Sequence, residues 1–103
     1  MENLELVCFK IISSVGSAKS MYIEAVQEAN SGNYERALAL IEEGREIFKE
    51  GHHAHGDLIQ QEATGEGAPI NLLLMHAEDQ LMNAETIKIM AEELIEVYQR
   101  IDK

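Results

Sequence analysis

Four histidines carry most of the chemistry open to this sequence: His52, His53, His55 and His76. Three of them fall in the run His52-His53-Ala54-His55. His52 and His55 are three residues apart, so on a helix they share a face. They could supply two ligands of a metal ion, but two imidazoles rarely suffice. A third ligand would have to come from His76 or Asp79 on another element. The competing reading is a polar cluster near a helix end or in a cleft.

His76 sits inside an apolar stretch, Leu72-Leu73-Leu74-Met75-His76-Ala77-Glu78-Asp79-Gln80-Leu81-Met82. On spacing alone, a lone histidine in such a stretch reads as a satisfied core or interface residue. A sharper reading exists, because Asp79 and Gln80 lie three and four residues on and project from the same strip of a helix. Imidazole is a good phosphoryl acceptor: one nitrogen attacks while a hydrogen bond to the other orients the ring. Other chemistries find less support. Gly65-Glu66-Gly67 is too short for a phosphate loop and lacks the Lys and Ser/Thr of one. No nucleophilic triad can be assembled.

The elements that must position these residues are helical. From about Asn3 to Asn30, Leu4, Cys8, Ile11, Val15, Ala18, Tyr22, Ala25 and Ala29 recur at alternating steps of four and three, a seam on one long helix. Ser31-Gly32-Asn33 breaks it, with Asn33 placed to cap the next segment. The second segment, about Tyr34 to Ala63, has the stripe Tyr34, Ala37 or Leu38, Ile41, Arg45, Phe48, His52, His55, Ile59. Gly44, Gly51 and Gly56 weaken it by up to about 1 kcal/mol each, but the periodicity continues through them. Thr64 to Pro69 is a loop, and Pro69 fits the first turn of a third helix. That helix, about Ile70 to Asp102, has a stripe of Leu73, Ala77, Leu81, Ala84, Ala91, Ile95 and Tyr98. A second stripe, rotated by one residue, holds Leu72, His76, Asp79, Asn83, Thr86 and Met90. One apolar face is enough for a three-helix domain, so the surplus points to self-association. Three helices of about 28 residues would each be roughly 42 Å long. With short connections they form an all-α, antiparallel up-down-up three-helix bundle.

Composition sets the outer limits. At 103 residues the chain is one domain, 1–103, and 46% apolar content with a single Pro excludes a Pro/Gly-rich disordered segment. A lone cysteine, Cys8, excludes an internal disulfide framework; on the helix-one seam it reads as a small hydrophobe. Met1-Glu2-Asn3-Leu4-Glu5 has no basic leader, and no apolar run approaches about 18 residues, so a cytoplasmic protein with no membrane insertion is expected. The net charge of −11 makes nucleic acid and anionic lipid poor partners and suits a basic protein, although plain solubility would explain it too.

Met75-His76-Ala77-Glu78-Asp79-Gln80-Leu81-Met82 resembles the phosphorylation-site segment of the lactose/cellobiose-type enzyme IIA of the bacterial sugar phosphotransferase system. Gly16-Ser17-Ala18-Lys19-Ser20 and Ala25-Val26-Gln27-Glu28-Ala29 resemble that family's first helix. Gly32-Asn33-Tyr34-Glu35-Arg36-Ala37 resembles its first turn, and His52 falls where the family has a histidine on its second helix. The resemblance spans nearly the whole chain. It departs at Glu78, where the family usually has Gln, and at Gln80, where some members have a second His.

The resemblance implies a homotrimer and a phosphotransferase component. His76 would accept phosphoryl from the carrier HPr and pass it to a cysteine of enzyme IIB. Since no Arg or Lys flanks His76, donors to the phosphoryl oxygens would come from His52, Gln80, the backbone or a partner. Asp79 would lie near the three-fold axis and hold a divalent cation there, with Mg²⁺ the favoured ion. The runner-up is a helical protein-interaction or regulatory module, because Gly32-Asn33-Tyr34-Glu35-Arg36-Ala37-Leu38 also looks like part of a tetratricopeptide repeat. No self-similarity at about 34 residues supports it.

Overall fold

The computed structural model describes residues 3–102. The reading of Met1 and Glu2 as lacking a basic leader, and the inclusion of Lys103 in the domain, lie outside them. Among the described residues the elements are α1 (Leu4–Asn30), α2 (Tyr34–Ala63) and α3 (Leu72–Ile101). They form an antiparallel bundle of 54 × 20 × 17 Å. The all-α, up-down-up expectation holds, and the first two helices begin and end within a residue of their expected limits.

Each helix start and stop has a local cause. Asn3 caps α1, its side chain accepting from the Glu5 amide at 2.8 Å. Both connections have at their second residue a glycine in the left-handed region, Gly32 at φ 84° and Gly65 at φ 87°. In each, the following amide folds back to the helix just ended, Asn33 N to Glu28 O and Glu66 N to Gln61 O, both at 2.9 Å. Two cap assignments need correction. Asn33 makes no side-chain cap to α2; its amide group instead donates to Glu28 at 2.8 Å. Pro69 is not in the first turn of α3, which starts at Leu72 behind Asn71.

α1 is the central element, packed along both neighbours, while α2 and α3 meet only sparsely. By length and composition α1 is apolar enough to cross a membrane; its seam from Cys8 to Ala29 is, however, fully consumed by the bundle core. One half of the core gathers Tyr22, Ala25, Leu40, Ile41 and Ile95. The other gathers Cys8, Ile11, Val15, Ala77 and Leu81. The first stripe of α3 is buried or half-buried as expected.

The stripe expected on α2 holds in part: Ala37 and Ile41 are buried and Tyr34, Phe48 and His55 half-buried, but the remaining positions lie off the contact face. Leu38, Arg45, His52 and Ile59 are exposed, while Leu40, Gly44, Gly51 and Leu58 are buried. The glycines are the reason. A Cβ on Gly44 would stand 2.6 Å from Cε1 of the buried Tyr22, and one on Gly51 would stand 2.8 Å from Cγ1 of Val15 and also strike Ser14 Oγ. Gly44 and Gly51, seven residues apart, therefore set the interhelix distance. An apolar-periodicity argument passes over them because they have no side chain to count.

Gly44→Ala and Gly51→Ala should each lower unfolding free energy by about 1–3 kcal/mol through overpacking. Gly56→Ala, where a Cβ meets nothing within 4 Å, should raise it by about 1 kcal/mol through helix propensity. Urea melts of the three variants read the opposite signs directly.

Candidate functional site

The site begins at the cap of α3. Asn71 is extended (φ −145°, ψ 172°) and its side chain accepts from the Leu74 amide, at 2.8 Å. Its carbonyl accepts from Met75 N at 3.0 Å. This fixes the phase of the first turn. Burial of Ala77, Leu81 and Ala84 against α1 then turns the opposite strip outward. His76 and Asp79 are exposed on that strip and Gln80 is half-buried beside them. Met75, Met82 and Leu72 are exposed around them, so the histidine stands in an apolar patch with no cover in the single chain. The core alternative for His76 is thus excluded; the acceptor and interface readings both remain compatible with its position.

The three clustered histidines diverge. His52 is exposed and stacks on Phe48, ring centroids 6.1 Å apart. His53 lines the groove between α1 and α2 with Lys10, Glu50 and Asp57. His55 turns toward α3 and bonds Glu78, Nε2 to Oε1, at 2.7 Å. No group of three or more His, Cys, Asp or Glu among the described residues is placed to hold a metal ion. The polar-cluster reading of this run is the one that fits: His52 is turned to solvent, and His55 is committed to a carboxylate.

The His55–Glu78 bond also sets the register of α2 against α3. His52 lies three residues from it in one direction and His76 two residues in the other. In antiparallel helices that separates His52 from His76 by about 7.5 Å along the bundle axis at 1.5 Å per residue. No hydrogen bond joins them in one chain, nor joins His76 to Gln80. The expected grouping of His52, His76 and Gln80 is assembled only as far as the shared strip of His76, Asp79 and Gln80.

Beside His76, the end of α2, the loop and the start of α3 enclose a groove of about 240 Å³. It is lined by Leu58, Ile70, Leu74 and Met75, with Glu62 and Glu78 among the lining residues. Below it Cys8 is fully buried. Burial pushes its thiol pKa up, and the charge of Glu78 adds to the effect. Sequence reasoning missed two contributors, Asn71 and the Glu78–His55 pair. Asn71 was legible as an Asn before an apolar run. The pair was not, because nothing in spacing within one helix gives the register between two.

Residues 6–99 match the family model described as PTS system, Lactose/Cellobiose specific IIA subunit. The lichenan-specific phosphotransferase enzyme IIA component of Bacillus subtilis strain 168 is 42% identical over 100 residues, covering 97% of this chain and 91% of that protein. The crystal structure of the PTS cellobiose-specific enzyme IIA from Bacillus anthracis superposes with a TM-score of 0.94 at 39% identity, covering 99% of this chain and 94% of that one. The IIA(chitobiose) chain in its solution complex with HPr from Escherichia coli gives a TM-score of 0.85 at 28% identity, with all of both chains covered.

Because Asn71 supplies the cap that phases His76, Asn71→Ala should cost about 1 kcal/mol. Asn33→Ala, which removes no helix cap, should cost less. Thermal melts of both variants compare the two positions.

Proposed function

We propose that this chain, which belongs to the lactose/cellobiose-specific IIA family of the sugar phosphotransferase system, is a cytoplasmic phosphoryl carrier that receives its phosphoryl group on His76. The observation that carries the proposal is the exposed strip of His76, Asp79 and Gln80, held by a buried edge of α3. The imidazole is presented outward, as an acceptor serving two successive partners must be.

The donor is phospho-HPr. A ring nitrogen of His76 attacks phosphorus in line, the P–N bond to the HPr imidazole breaks, and that imidazole keeps the electron pair. In the second step a cysteine thiolate of enzyme IIB attacks, the P–N bond to His76 breaks and a P–S bond forms. Both steps demand positioning and shielding of the equatorial oxygens more than covalent assistance. Support for HPr comes from the similarity to the chitobiose IIA chain described in complex with HPr, and from the net charge of −11, which suits a basic partner. Gln80, one turn from His76, can donate to a phosphoryl oxygen. The axial offset puts His52 out of direct reach within one chain, so its contribution belongs to a neighbouring subunit. The transported sugar is a lactose- or cellobiose-type β-disaccharide.

The functional unit is a homotrimer. Leu72, Met75, Met82 and Met90 are large apolar residues exposed on α3, and Asp79 interrupts their surface. Covering that surface with other copies brings the Asp79 carboxylates together, where they cannot all stay ionised without compensation. Asp79 is a hard oxygen donor with no partner among the described residues, which fits a divalent cation such as Mg²⁺. One chain offers a single such ligand, so the site requires assembly. The ion would neutralise the gathered carboxylates.

With phosphoenolpyruvate, enzyme I and HPr, intact mass should rise by one phosphoryl group per chain, acid-labile and base-stable, and His76→Gln should abolish it. Label on a hydroxyl residue, or retained in His76→Gln, refutes the assignment. Asp79→Leu should keep the trimer and remove its dependence on metal, because replacing a poorly compensated buried charge by an apolar residue is often neutral or stabilising. Sedimentation equilibrium with and without chelator reads both, and a wild-type monomer at tens of micromolar would refute the trimer.

A further inference from the structure

Glu78 lies two residues beyond His76, in the same stretch of α3 that receives the phosphoryl group. A carboxylate within one helical turn of His76 adds repulsion to the field that an incoming phosphoryl dianion meets. Its side chain is 41% exposed, so solvent alone does not hold it in place, whereas that of His55 is only 14% exposed. The two are bonded at 2.7 Å across helices that otherwise meet little. At the far end of the bundle a second polar link joins α2 to α3, the Tyr34 hydroxyl donating to the Tyr98 carbonyl at 3.0 Å and to Asp102. The His55 link is the one beside His76.

Two residues along a helix is about 200° of rotation at 3.6 residues per turn. Glu78 therefore starts from the flank facing α2, and the bond to His55 keeps it there. Freed from His55, the side chain is no longer held on that flank, and the groove it lines already holds a second carboxylate, Glu62, and offers no cation to replace the imidazole.

We infer that Glu78 is a positioning residue for phosphoryl acceptance: its carboxylate is kept on the α2 side by its bond to His55, leaving the approach to His76 open. The inference deepens the carrier function and rests on it for its setting. His55 acts through Glu78 and touches no phosphoryl group.

The test uses two donors, phospho-HPr and potassium phosphoramidate, a small donor that needs no partner protein. With phosphoramidate, a His76 ring nitrogen takes the phosphoryl group as the donor's P–N bond breaks and ammonia leaves. His55→Gln orphans the carboxylate and should slow acceptance from both donors by about threefold to tenfold, less at high salt. Glu78→Gln removes the charge and should accept at least as fast as wild type. The His55→Gln/Glu78→Gln double variant should return to within about twofold of wild type. His55→Lys, which places a cation opposite Glu78, should keep the rate near wild type and also covers a failure of His55→Gln to fold.

A merely structural link would predict that Glu78→Gln is as slow as His55→Gln, or that the double variant stays slow; either result overturns the inference, as does a wild-type rate in His55→Gln. Acceptance from phosphoramidate but not from phospho-HPr would refute the carrier function while the variant ratios still decide the role of Glu78. Acceptance from neither donor would overturn both.

Discussion

The close approach of α2 to α1 at Gly44 and Gly51 is the constraint on which the rest of the arrangement hangs. At these positions the α2 backbone lies against the ring of Tyr22 and the side chains of Ser14 and Val15, with no room for a Cβ. Such contact fixes both the distance and the rotation of α2, because only one face of the helix is flat enough to reach it. Once that face is set, His52 and Ile59 are turned to solvent and His55 toward α3. The glycines lose helix propensity of roughly 1 kcal/mol each, and the packing of the buried ring and branched side chains offsets it.

α3 is placed differently. Its small residues Ala77, Ala84 and Ala91 are buried and let it approach α1 closely. Its relation to α2 depends on polar links at the two ends, Tyr34 with Tyr98 and Asp102, and His55 with Glu78. The Tyr34 hydroxyl is pushed up to about 12 by its bond to Asp102, so it remains the donor at any ordinary pH. Between these ends the outward strip of α3 is left for chemistry and for other chains.

Much of this was legible in the sequence. The seam of α1 and the inner stripe of α3 are runs of aliphatic and alanine residues at helical spacing, and each of those positions proved buried or half-buried. The outer strip of α3 was legible too, because apolar residues beyond one core face need a second use. The α2 face was legible only in part: Ala37, Ile41, Phe48 and His55 lie on or beside it, but a glycine contact carries no hydrophobic signal, so Gly44 and Gly51 were passed over and Arg45, His52 and Ile59 were counted instead. The limits of sequence reading show equally in the histidine run. The three-residue spacing of His52 and His55 left a metal reading open beside the polar-cluster one, but the direction of each ring depends on what the neighbouring helix presents, and it presents Glu78 to one of them. Asn33 and Asn71 make the same point in miniature: both precede a helix, and only Asn71 has the extended backbone that lets its side chain reach back to the third amide.

The electrostatics of the strip suit a carrier better than a sink. A site that bound phosphoryl tightly would collect cations, yet no Lys or Arg flanks His76, and the nearest charged side chains in sequence, Glu78 and Asp79, are acidic. Acidic neighbours raise the energy of a phosphorylated imidazole and so favour handing the group on. They also oppose its arrival, so each must be answered locally. Glu78 has His55, in the same chain. Asp79 has no partner among the described residues, and in the assembly proposed for it the compensation comes from a shared cation. The two acids beside His76 thus ask for two different remedies, one intramolecular and one available only on assembly, and that difference separates what a single chain can position from what a trimer must supply.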